Sequence, residues 1–456
     1  MARDVTDSTP IAAREELVAW IEKGAKPKSA FRIGTEHEKF PFRTGTTEPV
    51  PYDGPNGIRA LLEGMQGMLG WEPILEDGNI IGMADVTGGG AISLEPGGQF
   101  ELSGAPVPSI HATCSEINAH LAQVREVGEP LGIRFLALGM SPLWTREQTP
   151  VMPKKRYDIM TRYMPKVGVM GLDMMYRTST VQVNLDFASE ADMVKKLRVS
   201  LALQPVGTAL FANSPFTEGK PNGFLSFRSE IWRDTDNARA GMLPFAFEPG
   251  MGFERYVDYA LDVPMYFVKR GATYHDVAGA SFRDLLAGRL AALPGERATI
   301  SDWANHLSTI FPEVRLKRYL EMRGADVGPA ARISALSALM VGLYYDPAAL
   351  DAAFDLVKNW SAAERQKLRS DVPRLALGAK IAGRSLAEIG REILAIARAG
   401  LARRARLDEV GRSEAVYLAP LDEFVETGRV AAHDWIARFE GEWRGSVDPA
   451  FTEACY

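Results

Sequence analysis

Cysteine is nearly missing from this 456-residue chain; only Cys114 and Cys455 occur. Two cysteines make no disulfide framework, and such a chain suits a reducing compartment. Histidine is scarce too. Its six scattered residues form no HExxH pattern, and there is no CxxC, which argues against a zinc site. No apolar run approaches the roughly 20 residues that span a bilayer. An excess of positive charge is also lacking. The net charge is −6, so bulk electrostatics offer nothing to a nucleic-acid backbone. Met1 to Asp7 has acidic residues and no hydrophobic segment, unlike a secretory signal. Gly88-Gly89-Gly90 and Pro96-Gly97-Gly98 have neither the lysine ending of a P-loop nor dinucleotide-fingerprint spacing. They read as hairpin turns, with a phosphate-covering lid as the alternative.

What is present begins with Arg32-Ile-Gly-Thr-Glu-His-Glu-Lys-Phe40. Residues i and i+2 of a strand share a face. Glu36 and Glu38 therefore aim at one volume, with Phe40 further along that side and His37 on the opposite side. Two carboxylates held together need a proton or a cation, and a hard divalent ion takes oxygen ligands.

The rest of the pattern is mixed. Amphipathic helices are expected at residues 10–24, within 52–69 and at 108–129, and a strand at 31–42. Short glycine-broken strands over 71–103 suggest an antiparallel meander. In Thr180-Val-Gln-Val-Asn-Leu-Asp-Phe187, Val181, Val183, Leu185 and Phe187 take one face. Gln182, Asn184 and Asp186 take the other. Ser189 is placed to cap a helix running to Leu210. Residues 213–252 are too rich in Gly, Pro, Asn and aromatics for a simple connector and read as a functional loop. After about residue 325, Ala, Leu and Arg recur at helical spacing. The expected class is α+β: an antiparallel sheet domain over 1–325, and a helical C-terminal region, 326–456, packed on it.

Four polar clusters fall on expected strands: Glu36/Glu38, Glu95 with Glu101, Gln182/Asn184/Asp186, and Glu321. Any one could be a solvated strand face. Glu101 and Glu321, however, interrupt apolar runs and need partners. Together the clusters point to one metal-filled cavity. Arg323 shares the face of Glu321, and its fork suits a phosphoryl group. Arg228 and Arg233 flank Trp232 in the long loop. Lys154, Lys155 and Arg318 read as surface residues, and Cys114 as a small core residue.

Taken together, the segments resemble the plant and proteobacterial type of glutamate–cysteine ligase. The likeness runs from about Leu17 to Tyr456. Its carriers are the Arg32–Phe40 segment, Ser93-Leu-Glu-Pro-Gly-Gly-Gln-Phe-Glu-Leu-Ser103, Met152-Pro-Lys-Lys-Arg-Tyr-Asp-Ile-Met160, Thr180–Phe187, residues 212–223, 258–266, and Phe311-Pro-Glu-Val-Arg-Leu-Lys-Arg-Tyr-Leu-Glu-Met-Arg323. The resemblance implies a curved antiparallel sheet forming a glutamine synthetase-like active-site funnel. It also implies ATP-dependent joining of the glutamate γ-carboxylate to the cysteine amine, the first step of glutathione synthesis. Glu36, Glu38, Glu95, Glu101, Gln182 and Glu321 would hold two or more Mg²⁺ ions, with Mn²⁺ as a substitute. Arg323, Glu36 and Glu38 would be catalytic. Asn184, Lys317 and Arg323 would meet ATP. Arg156, Arg228, Trp232 and Arg233 would bind glutamate, and Tyr266 would wall the cysteine pocket.

The other readings are a ligase for another amine, a non-catalytic glutamate or nucleotide sensor, and a metal-dependent hydrolase. With no segment resembling a transit peptide, a bacterial cytoplasm is expected rather than a plastid. The expected partners are small molecules only, with neither nucleic acid nor membrane, for a monomer or homodimer. Cys114 matches a cysteine of the plant enzymes. Their other cysteine positions hold different residues here, so plant-style disulfide switching is not expected.

Overall fold

The structure, a computed structural model, describes residues 6–456; Met1 to Val5, part of the non-secretory N-terminal reading, lie outside the described residues. Its centre is an eight-stranded sheet. In chain order the strands are β1 (Ile33–His37), β2 (Glu72–Glu76), β3 (Asn79–Ala84), β4 (Ala91–Leu94), β5 (Phe100–Ser103), β6 (Thr180–Leu185), β7 (Val314–Leu316) and β8 (Leu320–Asp326). Across the sheet they run β7-β8-β6-β1-β5-β4-β3-β2. Every pairing is antiparallel. The meander expected over 71–103 is β2 to β5.

Alternation fixes which face is buried. Val181, Val183, Leu185 and Phe187 are fully buried, and with Leu320 and Met322 they form one face. The helices Glu190–Leu210 and Ala330–Tyr344 pack on that face. Ser189 caps the first of these by accepting from Asp192 N. The helices beyond Asp326, among them Pro347–Val357, Ala362–Leu375 and Leu386–Arg404, bury Leu368, Ile389 and Leu401 in the same continuous core. Leu185 pairs with Ile33 on one side and Leu320 on the other. Leu185→Ala should therefore cost about 3 kcal/mol in a denaturant titration, because the void has rigid walls on both sides.

One expected strand is divided. The run 31–42 splits into β1 and a separate strand, Phe40–Arg43, that leaves the sheet to pair with Ile133–Leu136. Glu38 and Lys39 bridge the break. Glu38 N donates to Thr180 O, and Lys39 exchanges backbone hydrogen bonds with Phe100. Phe40 therefore packs against Trp144, away from the side shared by the glutamates. Residues 176–177 finish a short helix, Gly171–Arg177, before β6 begins. The long loop also contains a helix, Phe227–Ile231.

Candidate active site

The polar face of the sheet floors a cavity open to solvent. Register explains why residues distant in sequence meet there. Glu36 stands opposite Gln182, Asn184 opposite Glu321, and Ser93 opposite Glu101. Thus β1, β5, β6 and β8 deliver acidic and amide side chains to one face, and β4 adds the Ser93 hydroxyl. Glu36, Glu38, Glu95, Glu101 and Gln182 all line the cavity. Opposing them are Lys154, Arg156, Arg228, Arg315 and Arg323, with Trp232, Phe311 and the methionines 160, 174 and 175 as apolar wall. A second groove shares Glu36 as a wall and adds Lys26, Arg32, Gly34, Gly89, Gly104, Asn184, Asp186 and Tyr319. Asn184 Nδ2 donates to Glu36 Oε1 at 2.8 Å, at the junction of the two spaces.

The acidic groups differ in electrostatic state. Burial, then Glu95 and Glu101, pushes the Glu38 carboxyl well above the ordinary range. Burial, then Glu321 and Glu101, raises Glu36. Each has one donor, Asn184 Nδ2 for Glu36 and Thr180 N for Glu38, and these only partly offset the cost of ionising them. Their ligating atoms are all oxygen, which fits a hard divalent cation. Among the described residues, no three acidic, histidine or cysteine side chains are already gathered into a metal cluster.

Glu321 is different. Its oxygens accept from Arg315 Nε and Nη2, and Arg323 and Lys317 lie 3.3 and 3.7 Å away. Burial opposes its ionisation, but these cations outweigh it and hold its carboxyl well below the ordinary range. Glu321, expected as a metal ligand, is fully buried, does not line the cavity, and is paired with cations here. Gln182 also has a partner, since its Oε1 accepts from Arg323 Nη1 at 2.6 Å.

The expected substrate residues divide as well. Arg156 and Arg228 reach the cavity, and each has a buried Nε without a hydrogen-bond partner, as does Trp232 Nε1. Arg233 instead pairs with Glu230 at 2.7 Å and does not line the cavity. Tyr266 is buried beneath the Arg239 guanidinium, 3.8 Å from its ring centre, and also lies outside the wall. Lys317 is buried beside Glu321, where burial and Arg315 pull its ammonium down to about 8. It lines neither space.

Sequence reasoning missed Lys154, read as a surface residue. It is buried in the cavity wall, with Nζ donating to Leu94 O at 2.9 Å and to Tyr157 Oη at 3.2 Å. The three methionines were missed too; their spacing on two short helices carried no separate signal. His37 lies on the far side of β1, fully buried and edge-on to His120.

A family model described as glutamate-cysteine ligase family 2 matches residues 32–453. A chloroplastic glutamate–cysteine ligase of Arabidopsis thaliana is 55% identical over 449 residues, covering 98% of this chain and 84% of the relative. The corresponding Nicotiana tabacum protein is 53% identical over 455 residues, covering 99% and 85%. Ligase B of Oryza sativa subsp. japonica is 52% identical over 453 residues, covering 99% and 89%. A solved glutamate–cysteine ligase from Francisella tularensis, in complex with AMP, shares the fold at a TM-score of 0.52 and 13% identity. It covers 90% of this chain and 85% of that one. The expectation of a cytoplasmic setting is overturned by these relatives, which are named chloroplastic. That expectation rested on the want of a leader-like segment, which locates nothing. By model match and by full-length identity, this chain belongs to glutamate–cysteine ligase family 2.

Proposed function

We propose that the chain joins the γ-carboxylate of glutamate to the amine of cysteine at the expense of ATP, giving γ-glutamylcysteine for glutathione synthesis. One observation carries the site reading. A sheet face whose buried Glu36 and Glu38 carboxyls are raised above the ordinary range sits opposite Arg156 and Arg228, each of which keeps a buried Nε without a partner. The arginine side supports binding of an anionic amino acid. Arg156 and Arg228 would take its carboxylate. The methionine wall offers soft, adaptable contact for the thiol side chain of the acceptor. The groove beyond Glu36 has room for the nucleoside end of ATP, which leaves the triphosphate at the junction marked by Glu36 and Asn184.

Glu36, Glu38, Glu95 and Glu101 would hold Mg²⁺, which when bound offsets phosphate charge and aligns the reacting oxygens. The remaining work falls to side chains of this chain. Arg156 and Arg228 orient glutamate so that a γ-carboxylate oxygen faces the γ-phosphorus. The new O–P bond forms as the bond to ADP breaks. Arg323 stabilises the charge on the transferring group. The neutral cysteine amine then attacks the acyl carbon, the C–O bond to phosphate breaks, and the departing phosphate takes the amine proton. The cavity wall around Trp232 and Phe311 limits water access to the acyl phosphate.

The test is an assay of purified protein with glutamate, cysteine, ATP and Mg²⁺, following ADP and the dipeptide by mass. ADP and γ-glutamylcysteine should appear in equal amounts. ADP formation that requires a different amine would reassign the acceptor. Binding without ADP would indicate a sensor, and turnover without ATP a hydrolase.

A further inference from the structure

The last residue of β8, Asp326, lies three positions beyond Arg323 and is 1% exposed. Three donors from one segment hold its carboxylate: Asn213 N at 2.8 Å, Ser214 Oγ at 2.7 Å and Ser226 Oγ at 3.0 Å. That segment leads directly into Arg228. Ser226 caps the short helix Phe227–Ile231 by accepting from Ser229 N. Ser214 Oγ accepts from Arg228 N at 3.1 Å, and Arg228 Nη2 donates to Arg323 O at 3.0 Å. The anion thus joins the strand that carries Arg323 to the helix that carries Arg228 and Trp232.

Other features hold the joint in place. Asn213 Nδ2 donates to Ala137 O and Val327 O, and its Oδ1 accepts from Trp435 Nε1. A side chain at Gly139 would put its Cβ 2.5 Å from Asp326 Cβ, so glycine there leaves the space. A buried carboxylate is costly unless fully hydrogen-bonded, and charge-assisted bonds are the strong ones. Burial disfavours the Arg228 cation, and the largest opposing attraction comes from Asp326, ahead of Glu38 and Glu313.

We infer that Asp326 is a positioning residue: it fixes Arg228 against Arg323 and so sets the grip on the substrate carboxylate. This rests on the reading of Arg228 as a glutamate-binding residue. It acts through Arg228 and touches no substrate.

Three variants test it. Asp326→Asn keeps the shape and an acceptor oxygen but removes the charge. Asp326→Ala removes both, and Ser214→Ala cuts the link to Arg228 with the smallest disturbance. The KM for glutamate should rise about tenfold in the first, about 100-fold in the second and several-fold in the third. The KM for ATP should stay within about twofold. Arg228→Lys should raise the glutamate KM alone, and combined with Asp326→Asn it should give less than the product of the single effects.

If Asp326→Asn and Ser214→Ala leave the glutamate KM unchanged while Arg228→Lys raises it, the positioning role is wrong and the site reading stands. If Arg228→Lys has no effect on that KM, the site reading fails and this inference goes with it. Equal losses in glutamate and ATP binding would mark Asp326 as merely structural and overturn the proposal. Should Asp326→Ala not fold, Ser214→Ala still decides.

Discussion

Arg323→Lys should lower kcat by about 10³-fold while the chain stays folded and ATP still binds. The guanidinium must do several things at once. Its Nη1 donates to Gln182 Oε1, and the same nitrogen lies 3.3 Å from Glu321 Oε2. Its backbone oxygen receives Arg228. The residue also lines the cavity opposite Glu36 and Glu38. A planar fork can hold Gln182 on one edge and offer the other edge to phosphoryl oxygens; an ammonium is a single point with a different reach. Charge alone is therefore insufficient. Neighbouring Arg315 is committed to Glu321 and to the carbonyls of Ser308 and Ile310, so it is not free to substitute. Single-turnover measurement of acyl-phosphate formation, with urea melts as the control for folding, checks this. Turnover within threefold of the parent would remove Arg323 from the chemistry.

How far the site could be read in advance depended on what kind of pattern carried each residue. The alternation over 180–187 is a local property of a strand with one buried face, so it assigned Val183 to the core and Gln182 to the polar face without knowledge of neighbours. The pairing of Glu36 with Glu38 likewise survives the break after His37, because Thr180 holds Glu38 through two backbone hydrogen bonds, one to its carboxylate and one from its amide. The state of Glu321 was hidden. Its apolar flanks announce burial, but which cations reach it depends on the tight turn between β7 and β8. Lys154 shows the reverse error. Three consecutive basic residues look solvated, yet Lys154 turns inward to Leu94 O, a contact made 60 residues away. Tyr266 and Arg233 sit near the cavity in sequence terms, but their side chains are claimed by Arg239 and Glu230.

Glu38→Gln should abolish Mg²⁺-supported turnover and, without the metal, make the folded protein more stable at alkaline pH. The two effects share one cause. The Glu38 carboxyl is held well above its ordinary range by burial, then by Glu95 and Glu101, with Arg228 and the Thr180 amide opposing only in part. A carboxyl raised on folding binds its proton more tightly in the native state than in the unfolded chain. Its contribution to stability is full below the unfolded value near 4.3 and is lost as pH rises through the raised native value. Metal-free protein should therefore melt progressively lower from about pH 5 upward, and the neutral amide should not follow it. The glutamine oxygen still accepts from Thr180 N, so the local fold is kept. Added Mg²⁺ should restore the melting temperature of the parent increasingly at high pH, since binding to the native state alone stabilises it. In the variant that rescue should vanish, and half-saturation by Mg²⁺ should move at least about 100-fold, beyond what loss of an outer-shell partner costs. Calorimetry at pH 5, 7 and 9, with and without Mg²⁺, reads both effects. Identical melting profiles and an unchanged Mg²⁺ requirement would mean that the charge at Glu38 is neither a strain on the fold nor a metal ligand, and the sheet face would lose its claim to be the phosphate-transfer centre.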